Sequence, residues 1–202
     1  MATGEPRGRG RPRRFETRAR ILRESVALFA LKGYAHTSLS DIAEAVGIRK
    51  ASLYYYIDTK EDLLYEIDSL LIGELLEETE RLLATTQTPA DRLRSFFVAG
   101  MRLIARRRDE VAVFLGEAPA PSSGRWRELA RKRDSYQRIF EAILRAGVAD
   151  GSFRDMPTTI TALGVLGTTS WAYRWYRGDG ELGPDETAEL FADIVLNGLR
   201  PR

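Results

Sequence analysis

Apolar residues recur at helical spacing along most of this 202-residue chain. In the first such stretch, Leu22, Val26 and Phe29 lie three or four residues apart, and Gly33 can end the helix in the left-handed region. No stretch of the sequence combines two-residue alternation with enrichment in β-branched residues. The pattern therefore predicts an all-α fold of about nine helices.

Cap residues and a glycine divide the next part of the chain into short helices. Ser38 and Asp41 have the spacing of a capping box, and Gly47 ends the helix after about two turns. A short helix over about residues 49–56 follows, and then a longer one over about residues 60–85. Two short helices joined by a tight turn predict a helix-turn-helix, whose second helix can enter the major groove of DNA.

Prolines and glycines also delimit helices in the rest of the chain. Pro89 and Asp109 are expected to lie at helix starts, and a long helix over about residues 125–147 is expected to stop at Gly147 and Gly151. Two more helices are predicted over about residues 158–177 and 185–199. The sequence thus predicts a DNA-binding domain over residues 15–60 and a larger helical domain over residues 61–202.

Charge is unevenly distributed along the chain, although the net charge is only +2. Residues 1–60 contain 12 Lys and Arg against 6 Asp and Glu, whereas the remainder contains 19 against 23. A basic segment favours a polyanionic partner because neutralised phosphates release their counterions. We therefore expect double-stranded DNA to bind the first third of the chain; the alternative is a basic tail without a partner.

Residues 1–14 are rich in Gly, Pro and Arg, and are expected to be disordered when free. Within them, the run Arg9-Gly10-Arg11-Pro12 resembles the core of an AT-hook, in which small residues let arginines lie deep in a narrow minor groove. Attraction to phosphates without groove insertion, or no DNA contact at all, are the alternatives. Arg9 and Arg11 are the candidate DNA-binding residues of this arm.

Several classes of site are excluded by composition. The chain has no Cys and a single His, His36, so disulfides, thiol nucleophiles and thiolate zinc sites are impossible. No nucleophile accompanies His36, and no apolar run reaches the roughly 20 residues needed to cross a bilayer. We expect a cytoplasmic protein that is not an enzyme and that has neither a metal, a cofactor nor a membrane partner.

The segment TSLSDIAEAVGIRKASLYYYIDTKEDLL, residues 37–64, resembles the TetR family of bacterial repressors, and the match extends over residues 15–64. The resemblance implies that DNA is contacted by Ser38, Lys50, Ala51, Ser52, Tyr54, Tyr55 and Lys60. Two positions depart from the family pattern, because Arg49 replaces the usual Ser or Thr cap and Ile57 the usual Phe. Losing the cap costs about 1 kcal/mol, which Arg49 can recover by contacting guanine or by neutralising a phosphate.

The resemblance also implies a homodimer that binds a palindromic operator. In such a dimer the last two helices of each chain pack together as a four-helix bundle. The residues that this places in the dimer interface are Gly164, Gly167, Phe191, Ile194, Val195 and Leu199. The alternative is that these residues only complete the core of a single chain.

Family members hold a small-molecule effector in a cavity of the second domain. The candidate lining residues are Phe96, Phe97, Met101, Phe114, Trp126, Tyr136, Phe140, Trp171, Arg174 and Trp175. The segment TTSWAYRWYRGDGEL, residues 168–182, resembles members that control lipid or steroid breakdown and respond to acyl-CoA thioesters. Such an effector would need arginines for its phosphates, for which the candidates are Arg125, Arg127, Arg174 and Arg177. The alternative function is an architectural binder of A·T-rich DNA that has no effector.

Overall fold

A computed structural model describes residues 11–85, 88–116 and 124–201. Over these residues it contains helices and no strand, which confirms the all-α prediction. The helices are α1 (Arg11–Lys32), α2 (Leu39–Val46), α3 (Lys50–Leu53), α4 (Lys60–Leu83), α5 (Pro89–Arg106), α6 (Arg108–Gly116), α7 (Gly124–Ala149), α8 (Thr158–Ser170), α9 (Ala172–Trp175) and α10 (Pro184–Leu199). Trp171 alone separates α8 from α9, so the expected count of about nine corresponds to taking these two as one.

The chain forms two compact units that divide within α4, between Ile67 and Asp68. This division lies a little beyond the boundary that the sequence predicts at residue 60. The first turns of α4 belong to the first unit because Leu63 and Leu64 are fully buried there. The units are therefore joined by an unbroken helix.

Helix α1 begins at Arg11, earlier than the start near Phe15 that the sequence predicts. The helix thus includes residues 11–14, which the sequence analysis assigns to the basic arm. Arginine is a good helix former, and Pro12 is tolerated in a first turn, where its missing N–H has no partner to lose. Arg9, the other candidate of the arm, lies outside the described residues.

Helix α7 does not stop at Gly147, as the sequence predicts, but runs on to Ala149. Gly147 is buried within the helix, and the ring of Phe153 packs directly against it. The chain turns instead at Gly151, whose φ of +80° lies in the left-handed region. Gly147 thus permits a close approach rather than a helix stop.

The core of the second unit is built from α4 to α10, and aromatic side chains of α5 and α7 lie near its centre. Helix α5 packs against α10, and ion pairs join them at their surface. Arg94 pairs with Glu189 and Asp193, and Arg102 makes two hydrogen bonds of 2.6 and 2.7 Å to Asp185. In the described ranges, every helix is too short or too polar to span a lipid bilayer.

Candidate nucleic-acid interface and ligand cavity

The turn between α2 and α3 has the geometry that the sequence predicts. Ser38 Oγ accepts a hydrogen bond from the backbone N–H of Asp41 (3.1 Å), and the Asp41 carboxylate accepts one from the N–H of Ser38 (2.7 Å). The Ser38 hydroxyl also donates to the Asp41 carboxylate (2.6 Å), and this bond, together with the one from the Ser38 N–H, holds the pKa of Asp41 below its ordinary value. Gly47 ends α2 with a φ of +70°, and the N–H of Ile48 reaches back to the carbonyl of Ala43 (3.0 Å). The capping box and the glycine stop are confirmed.

Helix α3 is shorter than expected, but turns continue beyond it. The N–H of Tyr56 donates to the carbonyl of Leu53 (2.9 Å), so hydrogen-bonded turns continue through residues 54–56. Leu53 is fully buried and anchors this segment in the first unit. The structure brings six of the candidate DNA contacts together as exposed residues around this anchor: Arg49, Lys50, Ala51, Ser52, Tyr54 and Tyr55.

Arg49 occupies the N-cap of α3 and makes no side-chain capping hydrogen bond. The first turn of α3 therefore has no side-chain cap, and Arg49 is exposed. Nearby, the guanidinium of Arg14 lies 4.8 Å from the centre of the Tyr55 ring. The exposed surface of this segment thus carries both positive charge and aromatic faces.

Lys60 is engaged with the protein itself. Its ammonium group donates to the carbonyl oxygens of Tyr34 (2.6 Å) and Thr37 (2.8 Å), and it lies 4.2 Å from the centre of the Tyr34 ring. These contacts tie the start of α4 to the loop before α2. The sequence pointed to a phosphate contact at this residue, which stays a prediction.

Sequence reasoning missed Arg18, which holds the end of the α3 segment in place. Its guanidinium donates to the carbonyl of Tyr56 (2.6 Å) and pairs with Glu66 of α4 (2.5 Å). These partners are 38 and 48 residues away along the chain, so local spacing carries no signal for them. Arg18 is thus a structural support of the candidate DNA-binding surface.

The second unit contains a cavity of about 460 Å³. It is lined by α4 (Leu71, Ile72, Leu75), α5 (Phe96, Phe97, Gly100, Met101, Leu103, Ile104), α6 (Val111, Phe114, Leu115), α7 (Arg133, Tyr136, Gln137) and α8 (Leu163, Leu166, Gly167, Thr169, Ser170). Five of the candidate lining residues are among them, on α5, α6 and α7. The rings of Phe96 and Tyr136 stack with their centres 4.5 Å apart.

The other five candidates do not line this cavity. Trp126 and Phe140 are both buried, and the centre of the Phe140 ring lies 4.8 Å from that of Phe96. Trp171 and Trp175 are each about half exposed, and the guanidinium of Arg174 stacks over Trp171 (4.2 Å). The helix breaks at Trp171, and the ligand contact that the sequence predicts for these residues stays a prediction.

A partly buried ion pair adjoins the cavity. Arg133 of α7 donates through Nη2 to Asp68 Oδ2 (3.2 Å) and to the carbonyl of Phe114 (3.1 Å), and its guanidinium lies 4.0 Å from the centre of the Phe114 ring. Asp68 is fully buried, and neither its Oδ1 nor Arg133 Nε has a hydrogen-bond partner. Burial raises the pKa of Asp68 to about 7, although Arg133 acts in the opposite direction. Nothing in the spacing of the sequence distinguishes Arg133 from the other arginines of α7.

Helices α8 and α10 expose apolar side chains. Of the candidate interface residues, Gly164, Gly167 and Ile194 are exposed, and Phe191 and Val195 are partly buried. Leu199 is buried, so at this position the alternative of a core role fits. Three further exposed apolar residues of α8 and α10 were not predicted, namely Ile160, Leu163 and Leu190. Within the described part of the chain, no cluster of acidic or His side chains could hold a metal ion.

Two family models match the chain. Residues 21–67 match the bacterial regulatory proteins of the tetR family, and residues 86–199 match the tetracyclin repressor-like C-terminal domain. The chain belongs to the TetR family. TetR-family members regulate transcription by binding DNA and are not enzymes, so the sequence interpretation is confirmed on both points.

Known TetR-family proteins resemble this chain over most of its length. The transcriptional repressor KstR2 of Mycolicibacterium smegmatis is 30% identical over 184 residues, which are 90% of each chain. The structure of the ketosteroid transcriptional regulator KstR2 of Mycobacterium tuberculosis superimposes with a TM-score of 0.85 at 25% identity and covers 100% of both chains. The structure of AibR in complex with isovaleryl coenzyme A and operator DNA gives a TM-score of 0.77 at 27% identity, and covers 92% of this chain and 98% of that one.

Proposed function

We propose that this protein is a cytoplasmic, ligand-responsive repressor that binds a palindromic operator as a homodimer and leaves it when a small apolar effector binds. An acyl-CoA is the effector class that we favour. The observation that carries the proposal is the cavity in the second unit, because a chain that only bound DNA would have no use for it.

The size and the lining of the cavity support an apolar ligand. A volume of about 460 Å³ falls within the range of small-molecule sites, and most of the wall is aliphatic or aromatic. The hydrocarbon part of a ligand would gain about 0.8 kcal/mol for each buried methylene group. Polar side chains that α7 contributes to the wall, Arg133 and Gln137, could fix the orientation of the ligand.

The acyl-CoA class is supported by AibR, whose structure holds isovaleryl coenzyme A and operator DNA. The KstR2 relatives are named as repressors, which supports repression rather than activation. Helix α4 provides a route between ligand and DNA, since this single helix contributes both to the cavity wall and to the first unit. A ligand that favours one tilt of α4 would change the separation of the two recognition segments in a dimer, which must be about 34–36 Å.

A homodimer is supported by the exposed apolar residues of α8 and α10. Ile160 and Ile194 are each about two-thirds exposed, and exposed large apolar side chains favour association. Dimerisation would also supply the second recognition segment that tight, selective binding to DNA needs.

The test begins with selection of duplexes from a random library by the purified protein. We expect the selected sites to be palindromic, and we expect acyl-CoAs to release the protein from them and to raise its melting temperature. Gly100→Leu places a large side chain in the cavity and should abolish release while leaving DNA binding intact. Gly73→Leu on α4 is the matched control, because its Cβ would meet open space. A monomer that selects no palindrome, or a dimer that no acyl-CoA releases, contradicts the corresponding part of the proposal.

The same selection addresses the architectural alternative. An architectural protein would bind most A·T-rich duplexes with similar affinity and would ignore effectors. The ratio of specific to non-specific affinity at one salt concentration therefore separates the two functions.

A further inference from the structure

Among the described residues that line the cavity, Arg133 alone is charged. Both of its hydrogen bonds use the same terminal nitrogen, Nη2, and the buried Nε has no partner. A guanidinium carries five N–H donors, so Arg133 still has donors to offer. Its planar group lies over the Phe114 ring, which restricts its orientation within the cavity wall.

Asp68 is a poor partner for this arginine. An arginine usually grips a carboxylate through two short parallel hydrogen bonds, whereas Asp68 accepts one bond of 3.2 Å and leaves its Oδ1 unpaired. Desolvation also outweighs the attraction between the two groups, as the raised pKa of Asp68 indicates. A ligand oxygen could therefore compete with Asp68 for the guanidinium.

Building on the proposed function, we propose that Arg133 is the residue that binds the acyl oxygen of the effector, while its hydrocarbon lies against the apolar wall of α5. The acyl oxygen is either the carboxylate of a free acid or the thioester carbonyl of an acyl-CoA. Asp68 is a positioning residue that holds Arg133 at the wall until the ligand oxygen takes its place.

The two sources of the acyl oxygen differ in charge. A carboxylate brings a second negative charge close to Asp68, which then takes up a proton from solvent, whereas a neutral thioester carbonyl does not. Arg133 is the charged group that acts on Asp68, and burial keeps Tyr136, the other titratable residue of the wall, neutral by raising its pKa. Proton uptake thus distinguishes a free acid from a thioester.

The experiment is isothermal titration calorimetry of the full-length protein with octanoate, octanoyl-CoA and 1-octanol, repeated with the dodecyl series. We expect the acid or the thioester to bind at least about tenfold more tightly than the matched alcohol, the size of effect that one hydrogen bond to a charged group gives. Titrations in two buffers with different ionisation enthalpies measure proton uptake. A buffer-dependent enthalpy with the acid identifies the free carboxylate as the ligand group, and its absence with a tightly bound thioester identifies the carbonyl.

Substitutions then assign the preference to Arg133. Arg133→Gln should remove the preference for the acyl compound over the alcohol, and Arg138→Gln, an exposed arginine on the same helix, should keep it. If Arg133→Gln leaves Asp68 too unstable to fold, the double variant Asp68→Asn with Arg133→Gln replaces the ion pair by two neutral amides and should also lack the preference. A role in folding alone would lower stability without changing the ratio of affinities.

The outcomes separate this inference from the proposed function. An unchanged ratio in Arg133→Gln or in the double variant overturns the role of Arg133. Equal binding of alcohol and acyl compound by the unsubstituted protein also overturns it, yet leaves an apolar effector site in place. If none of these compounds binds, both the acyl-oxygen site and the proposed acyl-CoA effector are wrong.

Discussion

The ring of Phe153 packs so closely on Gly147 that a Cβ added to this glycine would lie 2.0 Å from Phe153 Cδ2. The N–H of Phe153 also donates to the carbonyl of Gly147 (2.8 Å), which fixes the ring against the end of α7. Aromatic ring and helix backbone thus meet with no side chain between them.

Gly147→Ala should therefore destabilise the protein. The added methyl group must displace the buried Phe153 ring, and overpacking of this kind costs about 1–3 kcal/mol. Urea denaturation measures the change in the free energy of unfolding. Gly73→Ala on α4 is the control, because its Cβ meets open space and alanine favours a helix over glycine by about 1 kcal/mol. Equal effects of the two substitutions would contradict the packing role of Gly147.

Arg49→Ser should raise stability and weaken DNA binding at the same time. Serine can cap α3, which Arg49 does not, and an N-cap of this type is worth about 1 kcal/mol. Thermal unfolding measures the gain, and affinity for guanine-substituted operators measures the loss. A loss confined to operators with one particular guanine indicates base contact, whereas an equal loss on all sequences indicates a phosphate contact.

Lys60→Met should lower the free energy of unfolding by about 1–3 kcal/mol, because the carbonyls of Tyr34 and Thr37 lose their charged donor. Chemical denaturation measures this change. The salt dependence of DNA binding tests the contact that the sequence predicts, since loss of one phosphate contact reduces the slope by roughly one. An unchanged unfolding free energy would show that the two hydrogen bonds do not hold α4 in place.

Stability should depend on pH through Asp68. Burial raises its pKa from 3.8 to about 7, so between these values the folded protein binds more protons than the unfolded chain. The contribution of Asp68 to stability is therefore fully present below about pH 4 and is lost as the pH rises through about 7, at up to about 1.4 kcal/mol per pH unit.

The difference in unfolding free energy between the unsubstituted protein and Asp68→Asn isolates this contribution. We expect the difference to fall steadily between about pH 4 and 7 and to level off above that range. Carboxylates with a lowered pKa, such as Asp185 beside Arg102, change stability in the opposite direction, but they are common to both proteins and cancel. A difference that is flat with pH would mean that Asp68 stays ionised.

The DNA-binding unit could be predicted from the sequence almost completely because its signals are local. The capping box of Ser38 and Asp41 and the left-handed Gly47 each act within a few residues, and the structure confirms them. The start of α1 was missed because an arginine-rich segment resembles a disordered tail in composition.

The second unit was less predictable because its determinants are distant in sequence. From the sequence alone Gly147 is expected to end a helix, and its packing against Phe153 is visible only in the structure. In the same way, the ion pair with Asp68 distinguishes Arg133 from the other arginines of α7. Hydrophobicity alone does not distinguish a cavity wall from a solid core. Phe96 and Phe140 are both large apolar residues, yet of these two Phe96 lines the cavity and Phe140 does not.

Helix α8 constrains how the response of this protein could be redesigned. Leu163 and Gly167 line the cavity and are exposed at the same time, so any substitution there alters two properties together. Phe96 and Phe97 border the same space and are hidden from solvent. Mutant libraries that are screened for new ligand preferences are therefore best confined to the buried cavity residues of α5. Substitutions there change the ligand site without changing the outer surface of the protein.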